Sequence, residues 1–217
     1  MEATINNPRS NFAGKLVSSK LFWVVMVTFL FAYPLLKSVQ RSMPAELPSY
    51  GTVPRFTFTD EDGFSFGTSN LEGRIYVANF MFTACQTSCP ILMKKVQTVQ
   101  HRLRGVMDRA AIVSFTVDPE TDTTEVLYKK ARELAAKTSV WKFLRAPVLD
   151  TKKLLVDGFK VPMGDKEMAN NVMDVAHSNK FVLVDQKGVI RGYYEADTNG
   201  INHLMLAAGI LINEKKN

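Results

Sequence analysis

Cys85 and Cys89 are the two cysteines of the 217-residue chain. They stand four residues apart in Phe80-Met-Phe-Thr-Ala-Cys85-Gln-Thr-Ser-Cys89-Pro90. On one helical turn such a pair has Cα atoms about 6 Å apart. That separation lies within reach of a disulfide, and it equally lets two thiolates hold one soft metal ion. The pair therefore reads as a redox switch, a copper site, or both. Pro90 suits the first turn of a helix, where its missing N–H is no loss. This places Cys89 at or beside the N-cap, where orphan N–H groups and the helix dipole stabilise a thiolate. Two small buried hydrophobes are the plain alternative. The scarcity of cysteine and the strand–CxxxC-Pro–helix context weigh against it.

Other soft or titratable side chains differ in their reach. His177 sits just before a strand expected near the cysteines. His101 lies 12 residues beyond Cys89 on one helix, about 18 Å away, and reads as a helix-face residue. His203 belongs to the last helix, packed or solvated. Met163, Met168 and Met173 recur every five residues before His177. Thioethers are soft ligands, but filling gaps in packing is the commoner use of methionine.

The elements that must hold the pair follow in order. Phe56–Phe66 alternates apolar and polar around Asp62-Gly63, a hairpin signal. Residues 70–73 read as a turn. Residues 74–82 form a strand apolar enough to be central in a sheet. Residues 90–108 form a helix with Ile91, Leu92, Val96, Val99, Leu103 and Val106 on its buried side. Residues 111–117 are the next buried strand, ended by Asp118-Pro119. Asp122 or Thr123 can cap a helix running to about Lys137. A short strand or packing anchor at Trp141, Phe143 and Leu144 precedes a short helix at 150–160, and residues 161–176 read as irregular. Residues 180–185 and 189–194 pair as a hairpin, and 199–213 close the chain as a helix. Strand–helix–strand, then hairpin and helix, is the thioredoxin-like order. The expected fold is thus α/β and thioredoxin-like, with an N-terminal β-hairpin.

The net charge of +6 is uneven, because the first 44 residues hold five basic side chains against Glu2 alone. No basic stripe interleaved with aromatics is present, which excludes a nucleic-acid binder. Leu21–Leu36 is 16 residues without a charge, and Leu16–Leu36 is 21 residues with only Lys20 inside, which can snorkel. Trp23 and Tyr33 lie near its two ends, as interfacial aromatics do. The expectation is a single transmembrane signal anchor at 21–37, after a cytoplasmic tail at 1–20 and before a linker at 38–53. The thioredoxin-like domain follows at 54–217. A disulfide-capable pair in a tethered domain suits an oxidising compartment. The expected placement is a bacterial inner membrane with the soluble domain in the periplasm.

Three motifs together give the chain a resemblance to a known family. They are Cys85-x-x-x-Cys89-Pro90, Thr116-Val-Asp-Pro-Glu-Thr-Asp-Thr123, and Asp174-Val-Ala-His177-Ser178. In this order, over about residues 50–213, they resemble the Sco/SenC family of membrane-anchored, thioredoxin-like copper proteins. The resemblance implies copper held by Cys85, Cys89 and His177, with Asp118 near the site as a supplementary group. It implies a metallochaperone that assists assembly of a cytochrome c oxidase, with the oxidase's copper-bearing subunit or another copper protein as partner. It also implies delivery to the binuclear copper centre rather than enzymatic turnover. The chain departs from many members in carrying Gln86-Thr87-Ser88 where they have proline after the first cysteine and an acidic residue. Two thiolates and an imidazole suit Cu(I), and no evident fourth ligand argues against structural zinc. The alternative is a membrane-tethered thiol–disulfide oxidoreductase, with Cys85 and Cys89 as its redox-active pair.

Overall fold

The computed structural model describes residues 19–39, 47–84, 88–161, 168–169, 172–173 and 179–214. The chain divides into two compact units, Met1–Glu46 and Leu47–Asn217.

The first unit contains α1 (Lys20–Val39), 20 residues long, with Pro34 inside and Lys37 in its last turn. Its apolar side chains face outward: Leu21 is 74% and Phe29 70% exposed. Among the described residues no helix is long and apolar enough to cross a membrane. The span expected at 21–37 is seen as a helix, and its crossing of a membrane is not supported. Its uncharged run is 16 residues, held between Lys20 and Lys37, against the roughly 20 that a hydrocarbon core takes.

The second unit opens with the expected hairpin, β1 (Thr57–Thr59) antiparallel to β2 (Ser65–Gly67). Asp60 shapes its turn: its Oδ1 accepts from the Asp62 and Phe64 amides at 3.1 and 2.8 Å. Gly63 takes φ 84°, a left-handed conformation that favours glycine. A single helical turn, α2 (Thr68–Leu71), leads into β3 (Ile75–Met81). Then follow α3 (Ser88–Leu103), β4 (Ala110–Thr116), α4 (Thr124–Glu133) and β5 (Trp141–Leu144). Helix α5 (Val148–Lys153) runs on into a π-turn over Leu154–Gly158. Two-residue strands β6 (Met168–Ala169) and β7 (Val172–Met173) pair antiparallel within the segment expected to be irregular, with Met168 opposite Met173. The chain closes with β8 (Lys180–Val184), β9 (Ile190–Glu195) and α6 (Thr198–Asn213).

Five strands form the main sheet in the order β5-β4-β3-β8-β9. β3, β4 and β5 are parallel, while β8 and β9 run antiparallel. β3 and β4 are buried at every position, which explains why they are mostly apolar, with Asn79, Ser114 and Thr116 as their buried polar members. Phe115 is the hub of the core. Its ring lies 5.3 to 6.0 Å from those of Phe56, Phe58, Phe80 and Phe159. These contacts tie the hairpin and the π-turn to the sheet.

Three local expectations are corrected. Helix α3 buries Leu92, Met93, Val96, Val99 and Leu103, while Ile91 is 62% exposed. Ile91 lies a third of a turn off the buried stripe. The same helix runs from Ser88 to Leu103, so Cys89 and Pro90 lie in its first turn and its end falls short of the expected residue 108. Helix α4 ends at Glu133, not near Lys137. The chain turns at Ala135, which takes φ 48°.

Candidate metal centre

Strand β3 delivers the chain to the site. Its last residue, Met81, pairs with Thr116, the last of β4. The pairing extends one bond further, from the Val117 N–H to the Met81 carbonyl at 2.9 Å. The two parallel strands therefore end side by side. The cysteine motif continues one of them, and Val117-Asp118-Pro119 continues the other.

Asp122 joins these two continuations. Its side chain is fully buried. Both carboxylate oxygens accept from the Thr83 N–H at 3.1 Å. The Thr83 hydroxyl donates to Oδ1, and the Thr116 hydroxyl donates to Oδ2. Thr116 Oγ1 in turn accepts from the Asp118 N–H at 3.1 Å. The Asp122 N–H closes the loop on the Asp118 carbonyl at 2.9 Å. Arg145, just after β5, donates from Nη2 to the Pro119 carbonyl at 2.7 Å. The loop carrying Asp118 is thus fixed from several sides, and its anchor also fixes Thr83, two residues before Cys85.

Cys89 lies in the first turn of α3 and is buried. It borders a cavity of about 280 Å³ with Met81, Phe82, Met93, Lys94 and Lys130. Met93 stands one turn beyond Cys89 on the same face. Two thioethers thus line one hollow with the cysteine. Asp118, two residues past the end of β4, is buried.

The antiparallel register sets the third flank. Tyr76 pairs with Val184 and Ala78 with Val182. The start of β8 therefore lies at the sheet end where β3 finishes. Cys85 and His177 lie outside the described residues, as does Met163. The other two histidines are both exposed, His101 on α3 and His203 on α6. His101 Nε2 lies 3.2 Å from Arg104 Nη1.

The sequence showed Asp122 as a possible cap for α4 and as a member of the Thr116–Thr123 motif, with no buried role for it, and did not single out Thr83. In the structure Thr123 takes the cap, its hydroxyl accepting from the Val126 N–H at 3.4 Å, and Asp122 turns inward. The available signal was three polar residues, Thr83, Thr116 and Asp122, where two apolar strands end.

Among the described residues, Asp60, Glu61 and Asp62 form an acidic cluster with oxygens close enough to share an ion. Lys142 Nζ already occupies it, at 2.8, 2.9 and 3.1 Å from the three carboxylates. The cluster is an ion-pair network that ties the hairpin to β5.

Comparison with known proteins bears on the family and the fold. The sequence model of the SCO1/SenC family matches residues 45–208. The SCO1 protein homolog of Bacillus subtilis is 29% identical over 152 residues, 70% of this chain and 75% of the relative. A SCO1/SenC family lipoprotein from Bacillus anthracis superposes with a TM-score of 0.69 at 31% identity, covering 78% of this chain and 99% of that one. BsSco, described as a Sco family cytochrome c oxidase assembly protein with a disulfide switch, gives 0.68 at 26% identity, with 78% and 98% covered. Copper-bound ScoI of Bradyrhizobium japonicum gives 0.61 at 18% identity, with 74% and 98% covered, a likeness of fold. With its thioredoxin-like α/β domain and the cysteine motif at the end of β3, this chain belongs to the SCO1/SenC family.

Proposed function

We propose that the chain is a copper-binding assembly factor for a respiratory cytochrome c oxidase, holding copper on Cys85, Cys89 and His177 and passing it to the binuclear copper centre of the oxidase's copper-bearing subunit. One observation carries this reading: the end of β3, the first turn of α3 with Cys89, the buried Asp118 and the start of β8 all meet at one end of the sheet. His177 precedes Lys180 by three residues, so the chain can carry it at most about 10 Å from the start of β8. Two thiolates and one imidazole make a soft donor set that suits Cu(I). The N-terminal turn of α3 stabilises the negative charge of the thiolates, and Asp118 stands by as a hard supplementary ligand for Cu(II). Copper here is cargo, and its retention depends on the thiols remaining reduced.

A thiol–disulfide exchange role is the second reading, favoured by Cys89 in the first turn of the helix after β3 and by the disulfide switch described for BsSco. In that role the Cys85/Cys89 dithiol gives two electrons and two protons to a client disulfide and becomes a disulfide itself.

The outward-facing apolar side chains of α1 support attachment to a membrane. The reading is a single-pass anchor in a bacterial inner membrane, with the second unit in the periplasm. The 16-residue run then requires Lys20 and Lys37 to snorkel or the bilayer to thin. Protease added to intact spheroplasts tests this, since a shielded second unit contradicts a periplasmic placement.

The deciding experiment for the site is anaerobic Cu(I) titration of the reduced chain against a chelator of known affinity. Tight one-to-one binding that is lost in Cys85→Ser/Cys89→Ser is the expected result. Weak binding together with rapid thiol exchange would transfer the assignment to the reductase.

A further inference from the structure

A second cavity opens at the opposite end of β3 from the cysteine motif. Tyr76 is the second residue of that strand and Met81 its last, about 17 Å apart along the strand. The cavity measures about 400 Å³ and lies between the segment before β1, helix α2 and the β8–β9 turn. Thr52, Arg55, Thr68, Tyr76, Asp185 and Lys187 contribute its polar lining.

Tyr76 is 2% exposed, and its hydroxyl has no hydrogen-bond partner among the described residues. A buried hydroxyl without a partner carries a real cost. Burial, and then the charge of Asp185, push its ionisation well above the ordinary tyrosine value, so the phenol stays neutral and offers a proton. The Asp185 carboxylate does not receive that proton. It accepts from Arg191 Nε at 2.7 Å and from the Lys187 and Val189 amides at 2.9 and 2.8 Å. At the mouth, Arg55 and Lys187 are exposed. Neither makes an ion pair among the described residues. With Asp185 matched by Arg191, the remaining charge of the lining is these two cations against the exposed Glu72.

A buried neutral donor below two unpaired cations fits an anion with an apolar body. We infer that this cavity binds a small organic carboxylate, which accepts from the Tyr76 hydroxyl inside and meets Arg55 and Lys187 at the mouth. The site is separate from the cysteine motif, so the inference does not depend on copper binding.

Calorimetric titration of the whole chain in detergent micelles with succinate tests it. Saturable one-to-one binding is expected. Tyr76→Phe keeps the ring and removes only the donor, and it should weaken succinate about tenfold, the worth of one hydrogen bond. Arg55→Glu/Lys187→Glu should abolish the binding. Thermal unfolding supplies a second readout: succinate should raise the midpoint of the wild type more than that of Tyr76→Phe. Absence of saturable binding, or equal affinity in wild type and Tyr76→Phe, would overturn the inference and leave at most loose anion contact with the surface cations.

Discussion

Thr83 is bound through both its backbone N–H and its hydroxyl to the carboxylate of Asp122, 39 residues further along the chain. The same carboxylate accepts from Thr116, so one buried side chain sets where the cysteine segment leaves β3 relative to the Asp118 loop. Asp122→Asn keeps the shape but turns one acceptor into a donor. It should lower stability by about 1–3 kcal/mol, read from urea unfolding. It should also weaken Cu(I) binding while both cysteines stay intact. Unchanged Cu(I) affinity in a folded Asp122→Asn protein would show that the network supports the fold without positioning the site.

His177→Ala separates the two readings of function. A copper carrier should lose Cu(I) affinity by at least tenfold, whereas a dithiol reductase should keep most of its thiol exchange. Chelator competition and a disulfide-exchange assay on the same variant measure both. Retention of full copper affinity would remove His177 from the ligand set.

Lys142 holds Asp60, Glu61 and Asp62 together, and Glu61 also accepts from the Phe143 N–H at 2.8 Å. Burial raises the Glu61 carboxyl above its ordinary value of 4.5, against the lowering pull of the Phe143 N–H and Lys142. Lys142→Met removes part of that pull, so Glu61 should rise further. A folded state that holds a proton the unfolded state has released loses stability as pH rises. The variant should therefore lose stability, by about 3–5 kcal/mol near neutral pH. Part of this should return as pH falls toward 4.5. Denaturant midpoints across that window measure it, and a deficit independent of pH would contradict the assignment to Glu61.

Phe115→Ala removes the ring that touches Phe56, Phe58, Phe80 and Phe159. A loss of about 3–5 kcal/mol is expected from transfer and cavity terms together. Urea unfolding gives the number, and a loss below 1 kcal/mol would mean the cluster collapses into the space.

Ser114 receives the Trp141 indole N–H at 2.8 Å and donates to Asn79 Oδ1 at 2.9 Å, all three residues being buried. Ser114→Ala should cost about 1–3 kcal/mol by leaving the indole N–H unpaired. A stability change below a few tenths would mean that another acceptor reaches it.

The sequence by itself determined the elements whose signals are local. Mostly apolar runs marked β3 and β4 as central strands, because a strand covered on both faces has no solvent-facing polar side. Asp62-Gly63 marked the hairpin, because glycine accepts the left-handed φ that its turn requires. Cysteine spacing and Pro90 marked a reactive strand-to-helix junction, and the three motifs together pointed to the family. The tertiary structure decided what depends on partners distant in the chain. Asp122 next to Thr123 looked like one of two possible helix caps until Thr83 and Thr116 drew it inward. Lys142 had no visible role until the fold brought it to Glu61, 81 residues away. Whether Ile91 or Met93 faces the core was settled by the rotation of α3 on the sheet, a difference of a fraction of a turn that the apolar pattern could not resolve. Local backbone preferences and hydrophobic period are written into neighbouring residues. The choice of partner for a buried polar group is made only when the strands that carry those partners come together.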